Sequence, residues 1–379
     1  MPRIETLINA YIDANIILFV AFIVWCLARA VVRHTRRRHD YVLHLKLTEG
    51  LMLAALISPV LAVLLVLLNG ALFPQNSLNA ADLAVAQFLE GRVAMEAEAF
   101  ETLLSSRQTF VEQLAGLQTP LSKAIAAVLV LGFVVAVSRT VASVWHLRRL
   151  IRDSYVWRRF GRLDLRLSDE IAVPFSTRGL LRRHIVIPSG MLATPTDLRI
   201  ALAHELQHMR RKDTEWELGL VLLRPFFFWN PAFIYWKKGL EQLRELGCDQ
   251  VLLTRKRVSP RDYADCLLSV CRKAVSDTGA FNLVTPKVPF LSFGTAALGR
   301  RNHHALRDRI TAIAGQGRSL GRSSAVFWPM LVVASLVIAL GATTIRKPAD
   351  WSQDRLMLST IVNLERLETR NVLLSLSGY

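Results

Sequence analysis

The stretch LAHELQHMRR, residues 202–211, places a glutamate and two histidines within five residues of one another. Thr194 is a favourable N-cap for a helix that would carry this stretch, and Pro195 suits its first position. Asp197, three residues after the cap, would complete a capping box. We therefore predict a helix that begins after Thr194 and ends near Lys212.

The polar residues of this helix have the spacing of a metal site. His204 and His208 are four residues apart, so both imidazoles lie on one helical face and can bind one ion. Glu205 lies beside them, in the position of a general base that acts on a water molecule whose pKa zinc lowers toward about 7. The HExxH pattern alone is short enough to occur on an ordinary exposed helix. A third ligand is therefore needed to distinguish a metal site from such a helix.

The segment RELGCDQVLL, residues 244–253, is the best source of that third ligand. Glu245 and Asp249 share a helical face, so Glu245 can bind the metal while Asp249 orients a ligand histidine by a hydrogen bond to its other ring nitrogen. Glu241 lies on the same face, and spacing alone does not exclude it. Arg244 is conceivable as an oxyanion-binding residue, although a salt bridge is the commoner role of such an arginine. We expect one zinc ion per chain.

Apolar residues make up 52% of the 379-residue chain and are clustered. Four segments have about the length that a membrane-spanning helix needs. They are residues 14–32, 51–73, 124–144 and 324–345. Residues 218–236 form a fifth apolar run, but a crossing there would place His204 and Glu245 on opposite sides of the membrane. Because prolines interrupt the run at Pro225 and Pro231, we predict a helical hairpin instead.

The distribution of charge predicts the orientation of these spans. Residues 33–48 contain five basic residues and one acid, whereas residues 74–122 contain two arginines and six acids. The first loop should be cytoplasmic and the second external, with both termini external. Residues 146–322 contain 31 basic and 16 acidic residues. We attribute this excess to attraction by an anionic leaflet and not to nucleic-acid binding, because no nucleic-acid-binding motif accompanies it.

Residues 184–187, HIVI, form a short apolar run just before the predicted metal helix. We predict a strand there. One interpretation is an edge strand that pairs with extended substrate, and the other is an ordinary core strand.

Several segments together resemble the integral-membrane zinc peptidases of the BlaR/MecR type, which are sensor-transducers that detect β-lactams and trigger loss of a repressor. In chain order these segments are PFSTRGLLRRHIVIPSGML, LAHELQHMRRKD, RELGCDQVLL, YADCLL and LRDRITAI. The resemblance covers about residues 171–313. It implies His204, His208 and Glu245 as zinc ligands, Glu205 as general base and a supporting role for Asp249.

The resemblance implies a mainly α integral membrane protein with four transmembrane helices and a cytoplasmic, gluzincin-like α+β zinc-peptidase domain between the third and the fourth. The expected organisation is an N-terminal membrane region at residues 1–145 with an external helical segment at 74–122, the peptidase domain at 146–322 with its hairpin at 218–236, a last span at 323–345 and an external tail at 346–379. In antibiotic sensors a penicillin-binding domain follows the last span. Here 34 residues without an SxxK motif follow it, so we do not expect acylation by β-lactams.

The expected function is therefore regulated cleavage, at a bacterial inner membrane, of a cytoplasmic protein such as a transcriptional repressor, with self-cleavage left open. The alternative is a constitutive HtpX-like or CaaX-processing peptidase for quality control or processing. A non-enzymatic scaffold is disfavoured by the intact HExxH. The expected partners are a protein substrate and the lipid bilayer, with a homodimer as a further option and no direct nucleic acid.

The predicted orientation is tested by reporter fusions. Fusions at Arg38, Arg255 and Arg318 should report cytoplasm, and fusions at Gln113 and Tyr379 should report the external side. An external signal at Arg255 would mean that residues 218–236 cross the membrane, and the shared zinc site would then be impossible.

Overall fold

The computed structural model of the chain describes residues 2–35, 38–72, 80–179, 181–255, 258–276, 299–315, 324–345, 357–364 and 367. The chain divides into two compact units. The first contains Met1–Trp25, Leu51–Val130 and Leu331–Tyr379, and the second contains Cys26–Gly50 and Leu131–Met330.

Four long apolar helices lie where the four spans are predicted. They are α1 (Pro2–His34), α2 (Tyr41–Leu72), α5 (Pro120–Asp153) and α11 (Ser324–Ile345). Within the described residues, Ile4–His34, Tyr41–Pro59 and Pro120–Asp153 are long and apolar enough to cross a bilayer. The described apolar part of α11, Trp328–Ala342, is shorter than a span. The chain is thus a mainly helical membrane protein with three candidate spans and a small sheet.

Two helices occupy the segment predicted to be an external helical pair. They are α3 (Ala80–Leu89) and α4 (Ala97–Gly116). Phe88 of α3 stacks on Phe100 of α4 with ring centroids 4.3 Å apart. Leu358 and Val362, from a short helix at residues 357–364, complete this small core. The two helices are therefore packed elements with a hydrophobic contact of their own.

The second unit contains a four-stranded sheet in the order β1-β2-β4-β3. Its strands are β1 (Tyr155–Phe160), β2 (Leu163–Ser168), β3 (Phe175–Arg178) and β4 (Arg183–Pro188). β2 runs parallel to β4, with Leu165 opposite Ile185, and the other two pairs are antiparallel. The predicted strand at residues 184–187 exists, and of its two interpretations the core strand is confirmed and the edge strand is wrong, because β4 lies between β2 and β3. The reason is burial on both sides: Ile185, Val186 and Ile187 are inaccessible to solvent.

A short 3-10 helix (Ser189–Ala193) leads from β4 into the helix that carries HExxH, α6 (Pro195–Arg211). α6 begins as predicted, but the capping box is wrong because the Thr194 hydroxyl donates to the Met191 carbonyl. Asp197 instead accepts a hydrogen bond from Ser269 on α9 (Pro260–Ser276) at 3.3 Å. Lys212 ends the helix with φ 62° and ψ 30°. This left-handed residue turns the chain directly into the next helix.

The apolar run at residues 218–236 turns back on itself. α7 (Asp213–Leu223) and α8 (Pro231–Thr254) are separated by a short irregular segment that contains Pro225, and Pro231 is the first residue of α8. Glu217 of α7 accepts from Lys237 at 2.5 Å and from Arg244 at 3.1 Å, so the two helices are joined side by side. Arg244 therefore forms a salt bridge. The break predicted at the two prolines is confirmed.

Two further contacts hold α8 in place within the second unit. The Gln250 amide accepts from the N–H of Val42 and donates to the carbonyl of His39, both at 3.1 Å. α10 (Gly299–Gly315) packs against α8 and α9. The helix that carries the predicted third ligand is thus fixed at several points along its length.

The start of α8 depends on a side-chain cap. Buried Asn230 accepts hydrogen bonds from the N–H groups of Ala232 at 2.9 Å and Phe233 at 3.4 Å. We expect Asn230→Ala to lower the free energy of unfolding by about 1–2 kcal/mol, because two buried donors lose their partner. Asn230→Asp keeps an acceptor oxygen and should lose less. Denaturant unfolding in detergent, followed by circular dichroism, checks this; an unchanged midpoint in Asn230→Ala would contradict it.

Candidate metal centre

The two histidines of HExxH face each other in a fully buried position. Their Nε2 atoms are 3.0 Å apart, and both side chains are inaccessible to solvent. Burial lowers the pKa of His204 to about 3, against the opposing charge of Asp249, so this imidazole is neutral. Each Nδ1 has its own hydrogen-bond partner on the far side of the ring. The Nε2 lone pairs therefore converge on one point, which is favourable only if a cation or a shared proton lies there.

The Glu245 carboxylate completes this arrangement. Its Oε2 is 3.5 Å from Nε2 of His204, and its Oε1 is 3.6 Å from Nε2 of His208. Ligand atoms about 2 Å from a tetrahedral zinc ion lie about 3.3 Å from one another, so two imidazole nitrogens and one carboxylate oxygen at these separations fit zinc. Burial raises the pKa of Glu245 to about 7, and the charge of Arg309 opposes that rise. A nearby cation would favour the ionised form.

Glu241, the other possible third ligand, is engaged elsewhere. Its Oε1 accepts a hydrogen bond from Lys237 at 2.5 Å. The structure thus brings Glu245 to the histidines and pairs Glu241 with a lysine. Ligation itself stays a prediction.

Glu205 lies next to this group, and its side chain is completely buried. Neither of its carboxylate oxygens has a hydrogen-bond partner of ordinary geometry among the described residues. Burial raises its pKa to about 8, Glu245 adds to the rise, and Ser176 of β3 counteracts it in part. A buried carboxylate with unused acceptor oxygens is suited to bind a water molecule and to take up its proton.

Asp249 is linked to His204 through a third side chain, Tyr263, which the sequence analysis did not single out. The Tyr263 hydroxyl lies 2.9 Å from His204 Nδ1 and donates to Asp249 Oδ1 at 2.5 Å. The direct separation of Asp249 Oδ1 from His204 Nδ1 is 3.5 Å. The predicted support is therefore shared with a buried tyrosine on α9.

His208 has a direct acidic partner. Its Nδ1 lies 2.8 Å from Oδ2 of Asp213, the first residue of α7. Cys248 packs against this pair, with its sulfur 3.4 Å from His208 Nδ1 and 3.7 Å from Asp213 Oδ2. Burial raises the pKa of the Cys248 thiol, so it remains protonated. A carboxylate behind a histidine fixes the ring tautomer and increases the basicity of Nε2, as in many metal sites.

Comparison with known proteins identifies the family. A family model described as BlaR1 peptidase M56 matches residues 6–288, which is most of the chain. This chain belongs to the BlaR1 peptidase M56 family. The Regulatory protein BlaR1 of Bacillus licheniformis is 31% identical over 94 residues, which are 24% of this chain and 16% of that protein. The matched part thus spans about one sixth of the length of that relative. The description of the family names a peptidase, which agrees with the resemblance.

Arg309 of α10 is the most prominent contact of the M56 site that sequence reasoning missed. It binds Asp249 through two hydrogen bonds, Nε to Oδ2 at 2.7 Å and Nη2 to Oδ1 at 2.8 Å. Its Nη1 is also 3.1 Å from Oε2 of Glu245. Burial acts to raise the pKa of Asp249, but the charge and hydrogen bonds of Arg309 outweigh it, and the pKa lies below its ordinary value. One buried guanidinium thus contacts two carboxylates and keeps Asp249 in its ionised form.

A partial signal for the missed residues was present in the sequence. Tyr263 begins YADCLL and Arg309 lies within LRDRITAI, two segments on which the resemblance rests. Asp213 ends LAHELQHMRRKD, five residues after His208. The resemblance marked these segments, but no local spacing rule connects the first two to a histidine far away in the chain.

The ligand assignment in this member of the M56 family is tested by metal content. Purified protein should carry about one zinc per chain, and Glu245→Gln or His204→Ala should lose it, because three protein ligands define such a site. Glu241→Gln is the matched control on the same helix and should retain the metal. Full zinc in Glu245→Gln together with loss in Glu241→Gln, measured by plasma mass spectrometry, would overturn the assignment.

The importance of Arg309 is tested by stability in the absence of metal. Arg309→Met should lower the free energy of unfolding by about 3–5 kcal/mol, because two buried carboxylates lose their cation. Exposed Arg307 on the same helix is the control. Arg307→Met should change the free energy of unfolding by less than about 0.5 kcal/mol.

A double variant separates charge from packing in this test. Asp249→Asn combined with Arg309→Met should cost less than the sum of the two single changes, because the neutral amide needs no counter-ion. Additive losses, measured by denaturant unfolding, would show that Arg309 acts through packing alone.

Proposed function

We propose that this protein is a membrane-embedded zinc endopeptidase of the BlaR/MecR type, which cleaves a cytoplasmic regulatory protein such as a transcriptional repressor, and also itself, in response to a signal. The observation that carries the proposal is the buried convergence of His204, His208 and Glu245 on one point, with the unpartnered carboxylate of Glu205 beside it. Membership of the M56 family supports it.

His204, His208 and Glu245 would hold the ion, with Asp213 and the Tyr263–Asp249 pair orienting the two imidazoles. Zinc bound there supplies Lewis-acid polarisation of the scissile carbonyl and a lowered pKa for water. Glu205 accepts the proton of the attacking water on a carboxylate oxygen and later donates it to the nitrogen of the leaving amine. Its raised pKa supports the second step, because a protonated Glu205 is stable between the two transfers.

The edge of the sheet nearest to Glu205 is the proposed seat of the substrate chain. β3 is the last strand of the sheet and packs against α6 and α7. Ser176 of this strand lies beside Glu205. An extended peptide added to the free edge of β3 would receive main-chain hydrogen bonds and pass close to the general base.

The proposed setting is a bacterial inner membrane with the peptidase region in the cytoplasm, since that region is strongly basic. A signal would reach it through the α3–α4 pair, which connects α2 to α5 along the chain, and a shift in helix packing is a common means of such transmission. A homodimer is compatible with this scheme, and no nucleic-acid contact is required. The alternative function is a constitutive HtpX-like or CaaX-processing peptidase, which would use the same residues without a signal.

The proposal is tested by comparing cleavage products in cells that produce wild-type protein or Glu205→Gln. Mass spectrometry of new protein N-termini should find a small set of cytoplasmic products that depend on Glu205, because removal of the general base typically slows such chemistry by about 100-fold or more. Glu241→Gln is the control and should leave these products unchanged.

Two outcomes would count against regulated cleavage. Products that persist in Glu205→Gln would remove the assignment of the general base. A broad set of Glu205-dependent products from misfolded membrane proteins, at the same level in all growth conditions, would instead support the constitutive peptidase.

A further inference from the structure

The first strand of the sheet is exposed along its whole length. All six side chains of β1, sequence YVWRRF, are accessible to solvent, with Tyr155 70% and Phe160 56% exposed. β1 is an edge strand that pairs with β2, and a register shift between Val156 and Arg158 displaces Trp157 from the regular ladder. Three exposed aromatic side chains on an edge strand form an interaction surface that a soluble domain would normally avoid.

The position of this strand along the chain places it near one face of the bilayer. The sheet is packed on the end of α5, where Leu147 and Leu150 contact Phe175 and Val186. The apolar part of α5 ends at residue 144, so Leu147 and Leu150 lie about 4.5 and 9 Å farther along the helix. The headgroup layer on each side of a bilayer is about 5–8 Å thick. Because Ser154 alone separates α5 from β1, the strand begins at most about 16–17 Å beyond residue 144, close to the outer side of the headgroup layer.

The charge of this region fits an anionic surface. Residues 146–162 contain six arginines and one acid, Asp153. The Arg158 guanidinium lies 5.1 Å from the centre of the Trp157 ring, and Arg159 is mostly exposed, with its nearest acidic oxygen, on Asp164, 3.9 Å away. Guanidinium groups bind phosphates through paired hydrogen bonds, and tyrosine and tryptophan favour the membrane–water interface.

We propose that β1 and the last turn of α5 form a binding surface for anionic phospholipid headgroups. Tyr155, Trp157 and Phe160 enter the headgroup layer, and Arg158 and Arg159 bind lipid phosphates. The surface holds the sheet against the bilayer. Because α6 follows β4 of this sheet, α6 then lies at a defined distance from the membrane. A substrate segment at that distance would be presented to the site at the membrane surface. This inference rests on β1 and α5 alone, so it does not depend on the proposed metal chemistry.

The experiment measures the depth of a spin label in the full chain, reconstituted into vesicles of phosphatidylcholine with or without phosphatidylglycerol. Phe160→Cys is labelled in a Cys26→Ser background, since Cys248, Cys266 and Cys271 are buried. Exposed Arg272 on α9 provides the control site, Arg272→Cys. The label at 160 should collide more with oxygen and less with a water-soluble nickel complex than the label at 272, and phosphatidylglycerol should increase the difference.

Removal of the charges separates headgroup binding from simple proximity. Arg158→Gln with Arg159→Gln should remove most of the phosphatidylglycerol effect, because each basic residue near an anionic surface contributes about fivefold in partitioning. Exposed Arg199 and Arg261 are the matched control, and their double change to glutamine should leave the effect intact. Equal unfolding midpoints of the two double variants would show that both are folded.

Two results would overturn the proposal. One is equal water accessibility of the labels at 160 and 272 in both lipid mixtures. The other is strong dipolar broadening between labels at 160, since this would show that β1 pairs with the same strand of a second copy of the chain.

Discussion

Two imidazole nitrogens face each other at 3.0 Å on side chains that are inaccessible to solvent, and the surrounding helices supply the residues around this contact. Such a pair is unfavourable on its own, so the protein must supply ligands, counter-charges and rigid support. Glu245 and Asp249 come from one face of α8, and Asp213 comes from the turn after Lys212. Arg309 then contacts two of the three carboxylates, Asp249 and Glu245, and supplies one positive charge to them.

The sequence was informative where the physics is local. Spacing within a helix predicts which side chains share a face, and this led to His204, His208 and Glu245. Proline positions predicted the break between α7 and α8 for the same reason, since a missing N–H interrupts a helix whatever surrounds it. Spacing left Glu241 open because both glutamates lie on the same face of α8. Lys237, one turn before Glu241 and also bonded to Glu217 of α7, accounts for the separate pairing of Glu241.

Tertiary contacts account for what was missed. Tyr263 and Arg309 reach the site from helices whose docking depends on the whole second unit, so no rule of local spacing could have found them. The capping box failed because Asp197 had a more favourable partner on α9. The sequence left an edge strand and a core strand both open for β4, because alternation and length do not determine strand order; the crossover from β2 to β4 puts it in the interior.

The position of Arg309 in the chain bears on the order in which the protein is made. The histidines, Asp213, Glu245 and Asp249 leave the ribosome within one short segment, but their buried guanidinium follows Asp249 by 60 residues. During synthesis the carboxylates are therefore without their counter-ion, and a loosely packed, hydrated pocket is favoured over a closed one. The site can close only after α10 has been translated and docked. The buried network of charges around the two histidines is therefore complete only after residue 309 has been made.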